Sequence, residues 1–341
     1  MSSSPFFSIN IPARNTGELV LSSLESVAKQ TFPDWEVLIA DDGSTDQTCR
    51  ICRSQQLIPQ DRFTLLEYNH AGQYATRRKL CAASKGEVII SLDSDDALLT
   101  DTALSTVNSL FLCKDCDLVM FNATRSLRTK DCFVDYGALD VDEEGKVRVE
   151  SALKSLYCSY DLNNIWTKAY RRHLGMFAFG DRMLCNTEDR LQCIELFRNV
   201  RSCYLIDKPL YYYRPNEGSV TSRPYRFSYF EDFIFVETQV ELLLGQLVNE
   251  REGRAKFLST TAARHLQRLH DSYDERAVRL SCYRFARELC VKSGLFPEKS
   301  APVRRDCRVI YDAFMGGRYG LLDSLLGLKR RAKYLSNHIV Q

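Results

Sequence analysis

The stretch Val88–Asp96, VIISLDSDD, constrains this chain more than any other. Val88 to Leu92 form an apolar or small run, of the kind found in a strand buried on both faces. The run stops at three carboxylates, Asp93, Asp95 and Asp96. Carboxylates crowded at a buried position repel one another and lose hydration, so their placement needs a reason. If the chain stays extended, Asp93 and Asp95 share one face and Asp96 points the other way. Two carboxylates facing one way at a strand's C-terminal end offer a seat for a hard divalent cation. In open α/β sheets ligands bind at that end. The plainer reading is a solvated turn whose last acid caps the next helix.

The flanking sequence repeats the arrangement. Phe6–Ile11 reads as a first strand stopped by Pro12, and Asn15 followed by Glu18 reads as a helix start. Trp35–Ala40 is a second strand, and it too ends in acid, Asp41-Asp42-Gly43-Ser44-Thr45-Asp46, with Asp46 placed to cap a helix over Gln47–Gln55. Phe63–Tyr68 is a third strand, Ala71–Ser84 a helix carrying Arg77, Arg78 and Lys79, and Asp117–Asn122 a further strand. Strands alternating with helices across short connections predict a mostly parallel sheet with helices on both faces. Two strands ending in acidic turns at one edge ask more of a capping explanation than one does.

From about residue 131 the pattern changes. Cys132–Val149 reads as a hairpin about Asp142–Gly145, and Ile165–Leu174 as a helix with one aromatic face. Thr187 is placed to cap a helix whose first turn holds Glu188 and Asp189, where the helix dipole favours negative charge. Cys203–Asp207 is a strand, and Pro209–Arg214 runs on toward Thr221. Beyond Tyr225 the sequence is almost free of proline and predicts three to five helices. The expected division is 1–224, with a nucleotide-binding half to 123 and an acceptor half after it, and a helical region over 225–341.

Composition excludes some classes. A net charge of +2 gives no bulk electrostatic case for nucleic acid. The N-terminus lacks a basic segment followed by an apolar one, and no apolar run approaches the roughly 20 residues of a membrane span. With thirteen cysteines and no secretion signal, reduced thiols and a cytoplasmic location are expected. Cys49/Cys52 and Cys113/Cys116 have the spacing of a four-thiolate zinc site but lack its glycine-rich knuckles, so free thiols are the expected state. His173, His265, His270 and His338 show no ligand spacing.

Taken together, Ile11-Pro12…Asn15, Gln30-Thr31-Phe32, Ala40–Asp46, Arg77, Gly86-Glu87, Leu92–Asp96, Glu188-Asp189 and Pro209–Arg214 resemble, in order and spacing over about residues 6–222, the inverting nucleotide-sugar glycosyltransferases of family 2 with the GT-A fold. The resemblance is to members that build bacterial cell-surface polysaccharide. It implies that Pro12, Asn15, Asp41, Asp42, Arg77 and Asp93 line the nucleotide. It also implies that Asp93 and Asp95 hold Mn²⁺ or Mg²⁺ on the diphosphate, and that Asp189 is the general base, with Glu188 next in line. A UDP-sugar donor and a saccharide or lipid-linked saccharide acceptor follow from it. The sequence departs from the family in having Arg14 before the asparagine and Arg78 after the arginine.

The residues support that chemistry independently. A divalent ion neutralises a diphosphate leaving group as a Lewis acid, and a carboxylate takes the acceptor's proton as the new bond forms. A sugar nucleotidyltransferase would show a glycine-rich loop after the first strand, where this chain has one glycine, Gly17. A phosphatase of the haloacid dehalogenase type would carry its Asp-x-Asp after the first strand, not the fourth. A third alternative is a catalytically degenerate scaffold, against which the joint presence of Asp41, Asp95 and Asp189 argues. At the far end, Leu321–Leu328 followed by Lys329, Arg330, Arg331 and Lys333 forms a basic amphipathic stretch suited either to packing or to peripheral contact with an anionic membrane.

Overall fold

The structure, a computed structural model, describes residues 4–129, 131–180, 183–215, 224–299 and 304–339. The chain divides into two units. The first comprises 1–156, 160–184 and 188–216; the second comprises 157–159, 185–187 and 217–341.

The first unit is built on one sheet. In chain order its elements are β1 (Phe7–Ala13), α1 (Leu19–Ala28), β2 (Trp35–Asp42), α2 (Thr48–Ser54), β3 (Phe63–Tyr68) and α3 (Gln73–Ala83). They continue with β4 (Val88–Ser91), β5 (Ala97–Leu98), α4 (Ala103–Cys113), β6 (Leu118–Thr124), β7 (Lys146–Val147), α5 (Val149–Cys158), β8 (Lys168–Arg171), α6 (Glu188–Phe197) and β9 (Cys203–Tyr212). The strands lie in the order β3-β2-β1-β4-β8-β6-β9-β5, with β7 also on β9.

From β3 to β4 all pairing is parallel, with Phe7 opposite both Trp35 and Val88. Every residue of β1, β2, β4 and β6 is buried, as continuous apolar runs such as Trp35–Ala40 require of strands covered on both faces. Beyond β4 the sheet is mixed: β8 enters antiparallel to both β4 and β6. Because β8 reverses direction between them, β6 runs with β4, and β9 runs parallel to β6. The C-terminal ends of β1, β2, β4, β6 and β9 therefore meet at one edge, and the acidic turns after β2 and β4 lie there.

Three local expectations are corrected. Ile165–Leu174 is not a helix. Ile165–Thr167 is one 3₁₀ turn, Lys168–Arg171 is β8, and Arg172–Gly175 is a second 3₁₀ turn. Ile165 to Tyr170 are all buried, so a segment covered on both faces shows no one-sided pattern, and its isoleucine, tryptophan, threonine and tyrosine suit a strand. Asn15 does not cap a helix; it adopts φ +51° and α1 begins at Leu19. Thr187 likewise has φ +64°, outside the extended range of an N-cap, and its hydroxyl donates to the Asn186 carbonyl. The expected hairpin survives in reduced form, as a bridge between Val141 and Val147 closed by the turn from Asp142 to Gly145, with Lys146–Val147 paired to β9.

The second unit holds α7 (Phe227–Leu244), α8 (Arg251–Ser272), α9 (Arg276–Ser293), α10 (Arg305–Met315) and α11 (Tyr319–Ile339). Phe230, Phe233, Leu258, Leu266, Leu269, Tyr283, Tyr311, Phe314, Leu322 and Leu326 form its core. Buried His265 stacks on Phe233 at 4.4 Å. Arg279 grips Asp323 with two hydrogen bonds, at 2.7 and 3.1 Å, joining α9 to α11. Among the described residues no helix is long and apolar enough to cross a membrane. The stretch 216–223, into which the tyrosine-rich run was expected to continue, lies outside the described residues.

Candidate active site

The acids at the sheet edge are not equivalent. Asp41 and Asp42 end β2 and are both buried. Asp42 is fully engaged by the protein. Its Oδ1 accepts the Ala71 N–H at 2.7 Å, and its Oδ2 accepts the Gly72 N–H at 3.1 Å and meets His70 Nδ1 at 2.7 Å. It thereby fixes the entry to α3. Asp41 Oδ2 accepts the Ser44 N–H at 3.1 Å, but its Oδ1 is buried without a hydrogen-bond partner. A buried acceptor left unpaired is costly, so Oδ1 marks a place for an incoming donor.

The turn after β2 is locked to the loop after β1. Asn15 donates its N–H to Ser44 Oγ at 3.0 Å, and its Oδ1 accepts the Thr45 N–H at 2.8 Å. Gly43 has φ +70°, and a Cβ there would stand 2.9 Å from the His70 backbone nitrogen, so only glycine fits. Pro12 is buried in β1 opposite Ala40. Asn15 thus braces the turn that begins at Asp41, whose Oδ1 is the unpartnered acceptor.

After β4 the chain does not stay extended. The Asp96 N–H bonds the Asp93 carbonyl at 3.1 Å, closing a turn that separates the three carboxylates. Asp96 is buried. Its Oδ2 accepts from Tyr211 Oη at 2.8 Å and its Oδ1 from the Arg214 N–H at 2.8 Å. Burial, then the charges of Asp93 and Asp95, push Asp96 up to about 8. The Asp93 N–H donates to Tyr211 Oη at 3.1 Å, so one tyrosine from β9 holds both ends of the turn. Arg214 Nε donates to the Asp95 carbonyl at 2.9 Å, and Asp95 itself is half-buried.

Arg77, on α3, joins this turn to α6. The guanidinium is 2 % exposed. Its Nη2 donates to Asp93 Oδ1 at 3.0 Å, and its Nη1 donates to Asp189 Oδ1 and to Gln192 Oε1, the latter at 3.1 Å. Burial works against its charge, but Asp189 and Asp93 outweigh that and its pKa rises. Gln73 Nε2 also donates to Asp93 Oδ1, at 3.2 Å. Asp93 Oδ2 meets no protein donor among the described residues, and the Asp95 side chain is half-buried on the same turn.

Among the described residues no three His, Cys, Asp or Glu side chains cluster as a metal cage. Two carboxylates fit a cation whose remaining ligands are diphosphate oxygens and water, the usual manner of Mg²⁺. The cysteine pairs form no such cage either: all thirteen cysteines are free thiols.

Glu188 and Asp189 open α6 and are half-buried. Burial, with the charge of Asp189, pushes Glu188 up to about 7, while Arg77 opposes it. Burial also raises Asp189, again against Arg77. Behind them Lys168 is fully buried, its Nζ donating to the Asn164 carbonyl at 2.7 Å. Burial lowers its pKa, with Cys193 and Asp189 pulling the other way. Sequence reasoning missed Lys168, Gln73, Gln192 and Tyr211. Only the tyrosine had a signal, in the Pro209–Arg214 run. Arg78 lines a cavity of about 800 Å³ with Cys81, Glu87 and Arg172, toward the N-terminal end of β4.

Residues 8–126 match the family described as Glycosyl transferase family 2. Glycosyltransferase GlyG of Streptococcus pneumoniae is 30% identical over 119 residues, which are 35% of this chain and 39% of GlyG. The poly(ribitol-phosphate) beta-N-acetylglucosaminyltransferase TarS of Staphylococcus aureus is 34% identical over 98 residues, 28% of this chain and 17% of TarS. The chain thus spans less than half the length of these relatives. In three dimensions the crystal structure of S. aureus TarS 1-349 matches with a TM-score of 0.64 at 17% identity, over 96% of this chain and 92% of that one. The fold is that of the TarS structure, of GT-A type, and residues 8–126 of the chain are similar in sequence to glycosyl transferase family 2.

Proposed function

We propose that the chain transfers a sugar from a nucleoside-diphosphate sugar to an acceptor hydroxyl with inversion, in the synthesis of cell-surface polysaccharide or glycolipid. The observation that carries this reading is the Arg77 bridge, which sets Asp93 of the diphosphate-facing turn and Asp189 of α6 on one guanidinium. Asp41 Oδ1 receives a donor of the nucleobase, and Pro12 and Asn15 shape the wall beside it. Asp93 and Asp95 would hold Mn²⁺ or Mg²⁺, which when bound supplies charge neutralisation for the leaving diphosphate. Asp189, aimed by Arg77, takes the proton of the acceptor hydroxyl as it attacks the anomeric carbon. One displacement inverts that carbon, and no nucleophile for a covalent intermediate is required. Glu188, protonated for part of the time near neutral pH, is the second carboxyl within reach.

Uridine is the proposed base. Relatives in fold support a sugar nucleotide: one TarS structure is described as a complex with UDP-GlcNAc, and a Pyrobaculum calidifontis mannosyltransferase, matching with a TM-score of 0.51, as a complex with GDP-Man and Mn²⁺. The reading places the N-terminal 224 residues as the transferase domain. It gives the helices after residue 225 peripheral contact with the inner face of the membrane through the basic end of α11. Incubation with a panel of nucleotide sugars and Mn²⁺ tests it: release of nucleoside diphosphate from one donor class is expected, and release from none would overturn it.

A further inference from the structure

At the same sheet edge, beyond the acids, four aromatic rings form a bank. The Tyr211 ring, whose hydroxyl holds the Asp93–Asp96 turn, lies 4.7 Å from Trp166. Trp166 in turn lies 5.5 Å from Tyr213 and 6.1 Å from Phe133, and those two lie 5.8 Å apart. Trp166 is almost buried; Phe133 and Tyr213 are half-exposed. Over the outer rings sits Arg125, the residue that follows β6, with its guanidinium carbon 4.3 Å from the Phe133 ring and 5.4 Å from that of Tyr213. Arg125 is exposed, and among the described residues no carboxylate pairs with it.

A guanidinium stacked on rings keeps its N–H donors, because they radiate in its own plane. Stacking takes up the face and fixes the orientation, which leaves a planar fork ready for a carboxylate or phosphate. A surface arginine held this way by two rings, and left without an acid, is prepared for an anion that the chain does not supply. The half-exposed rings beneath it offer apolar surface to the C–H face of a sugar. The bank is tied to the reaction centre by Tyr211, so whatever lies on it continues from a group held near Asp93 and Asp189.

We propose that Arg125 and the Phe133–Trp166–Tyr213 bank form the acceptor subsite, and that the acceptor is a saccharide carrying an anionic group, phosphate or carboxylate, which Arg125 pairs. This rests on the transferase reading, from which the acceptor's presence at this edge follows, and it adds the acceptor's chemical class. The guanidinium selects the charge, and the rings select the sugar.

Saturation-transfer NMR titrations of the intact chain, with UDP and Mn²⁺ present, test it. The probes are methyl glucoside, methyl glucoside 6-phosphate, methyl glucuronide and inorganic phosphate. At least one charged sugar should bind roughly tenfold tighter than the neutral one, the size of a hydrogen bond to a charged group. Arg125→Gln should bring the two within about twofold, and Arg125→Lys, which keeps charge without the fork, should fall between. Phe133→Leu should weaken charged and neutral sugars together. Equal binding of charged and neutral sugars by the parent, or a preference that survives Arg125→Gln, would overturn the proposal. Inorganic phosphate binding as well as the sugar phosphate would reduce the site to an adventitious anion site and overturn it too. UDP is observed in the same samples. A chain that takes UDP yet shows no charge preference loses only this inference, whereas one that takes no UDP loses the transferase reading while the Arg125 comparison is still read.

Discussion

Arg77 and Asp189, 112 positions apart in the sequence, share a hydrogen-bonded ion pair in which the arginine is 2 % exposed and the aspartate 26 % exposed. The same guanidinium holds Asp93. Removing the arginine would leave two carboxylates facing each other without their counter-charge. Losing one partner of a buried pair costs about 3–5 kcal/mol. Arg77→Met should therefore lower the thermal midpoint by many degrees. Arg77→Lys should fold better but lose turnover, because an ammonium cannot span both carboxylates as the planar fork does. A Lys variant with parent-like stability and rate would show that the bridge is incidental.

The pair also changes what is expected of the proposed base. As an acid in a helix's first turn, Asp189 by itself would contribute only about 0.3–1 kcal/mol through the helix dipole. In the structure Asp189→Asn also withdraws one of two charges compensating a buried guanidinium. A lower melting midpoint is expected, with the Asn oxygen still accepting from Nη1. Turnover of the sugar nucleotide should fall by about 10²–10⁴ while donor affinity stays near that of the parent. Comparison of donor titrations with single-turnover rates checks this. If Asp189→Asn keeps its rate, Glu188 becomes the candidate base.

Asp41 offers a narrower test. Its Oδ1 is a buried acceptor without a partner. If a nucleobase N–H fills it, Asp41→Leu should weaken nucleoside diphosphate binding by roughly 10- to 100-fold, the range for a hydrogen bond to a charged group. Asp42→Asn should act otherwise, loosening the Ala71–Gly72 entry to α3 and lowering stability. Calorimetry and melting curves on the two variants separate these roles.

The helical unit should be sensitive to acid. Burial, with Arg268 adding to it, pushes His265 down to about 3 from its ordinary value near 6.5. Below pH 6.5 the unfolded chain binds a proton that the folded chain refuses. Stability from this group is thus full above 6.5 and is lost as pH falls toward 3, by up to about 1.4 kcal/mol per unit. Thermal unfolding between pH 7 and 5 should show a smaller drop for His265→Gln than for the parent; parallel curves would remove the histidine from the account.

Much of the parallel half was legible because its strands are short apolar runs ended by acids, a local pattern. What failed was long-range. Lys168–Arg171 is a strand because β4 and β6 pair with it on either side, and no local signal announces two partners. Lys168 reads as a solvated lysine and lies fully buried beside α6. The extended placement of Asp93, Asp95 and Asp96 gave way to a turn because Tyr211 and Arg214, more than a hundred residues on, bind it. The Arg77–Asp189 contact is of the same kind. Each end was picked out by its motif, but their meeting depends on α3 and α6 packing together.

The expectation that carries most is that the acids after β4 hold a nucleoside diphosphate through a divalent cation. Its most direct test is calorimetric titration of UDP into the intact chain with Mn²⁺ and, in parallel, with EDTA. Saturable heat is expected with Mn²⁺ and little or none with EDTA. Equal binding in the two, or no binding in either, would contradict it.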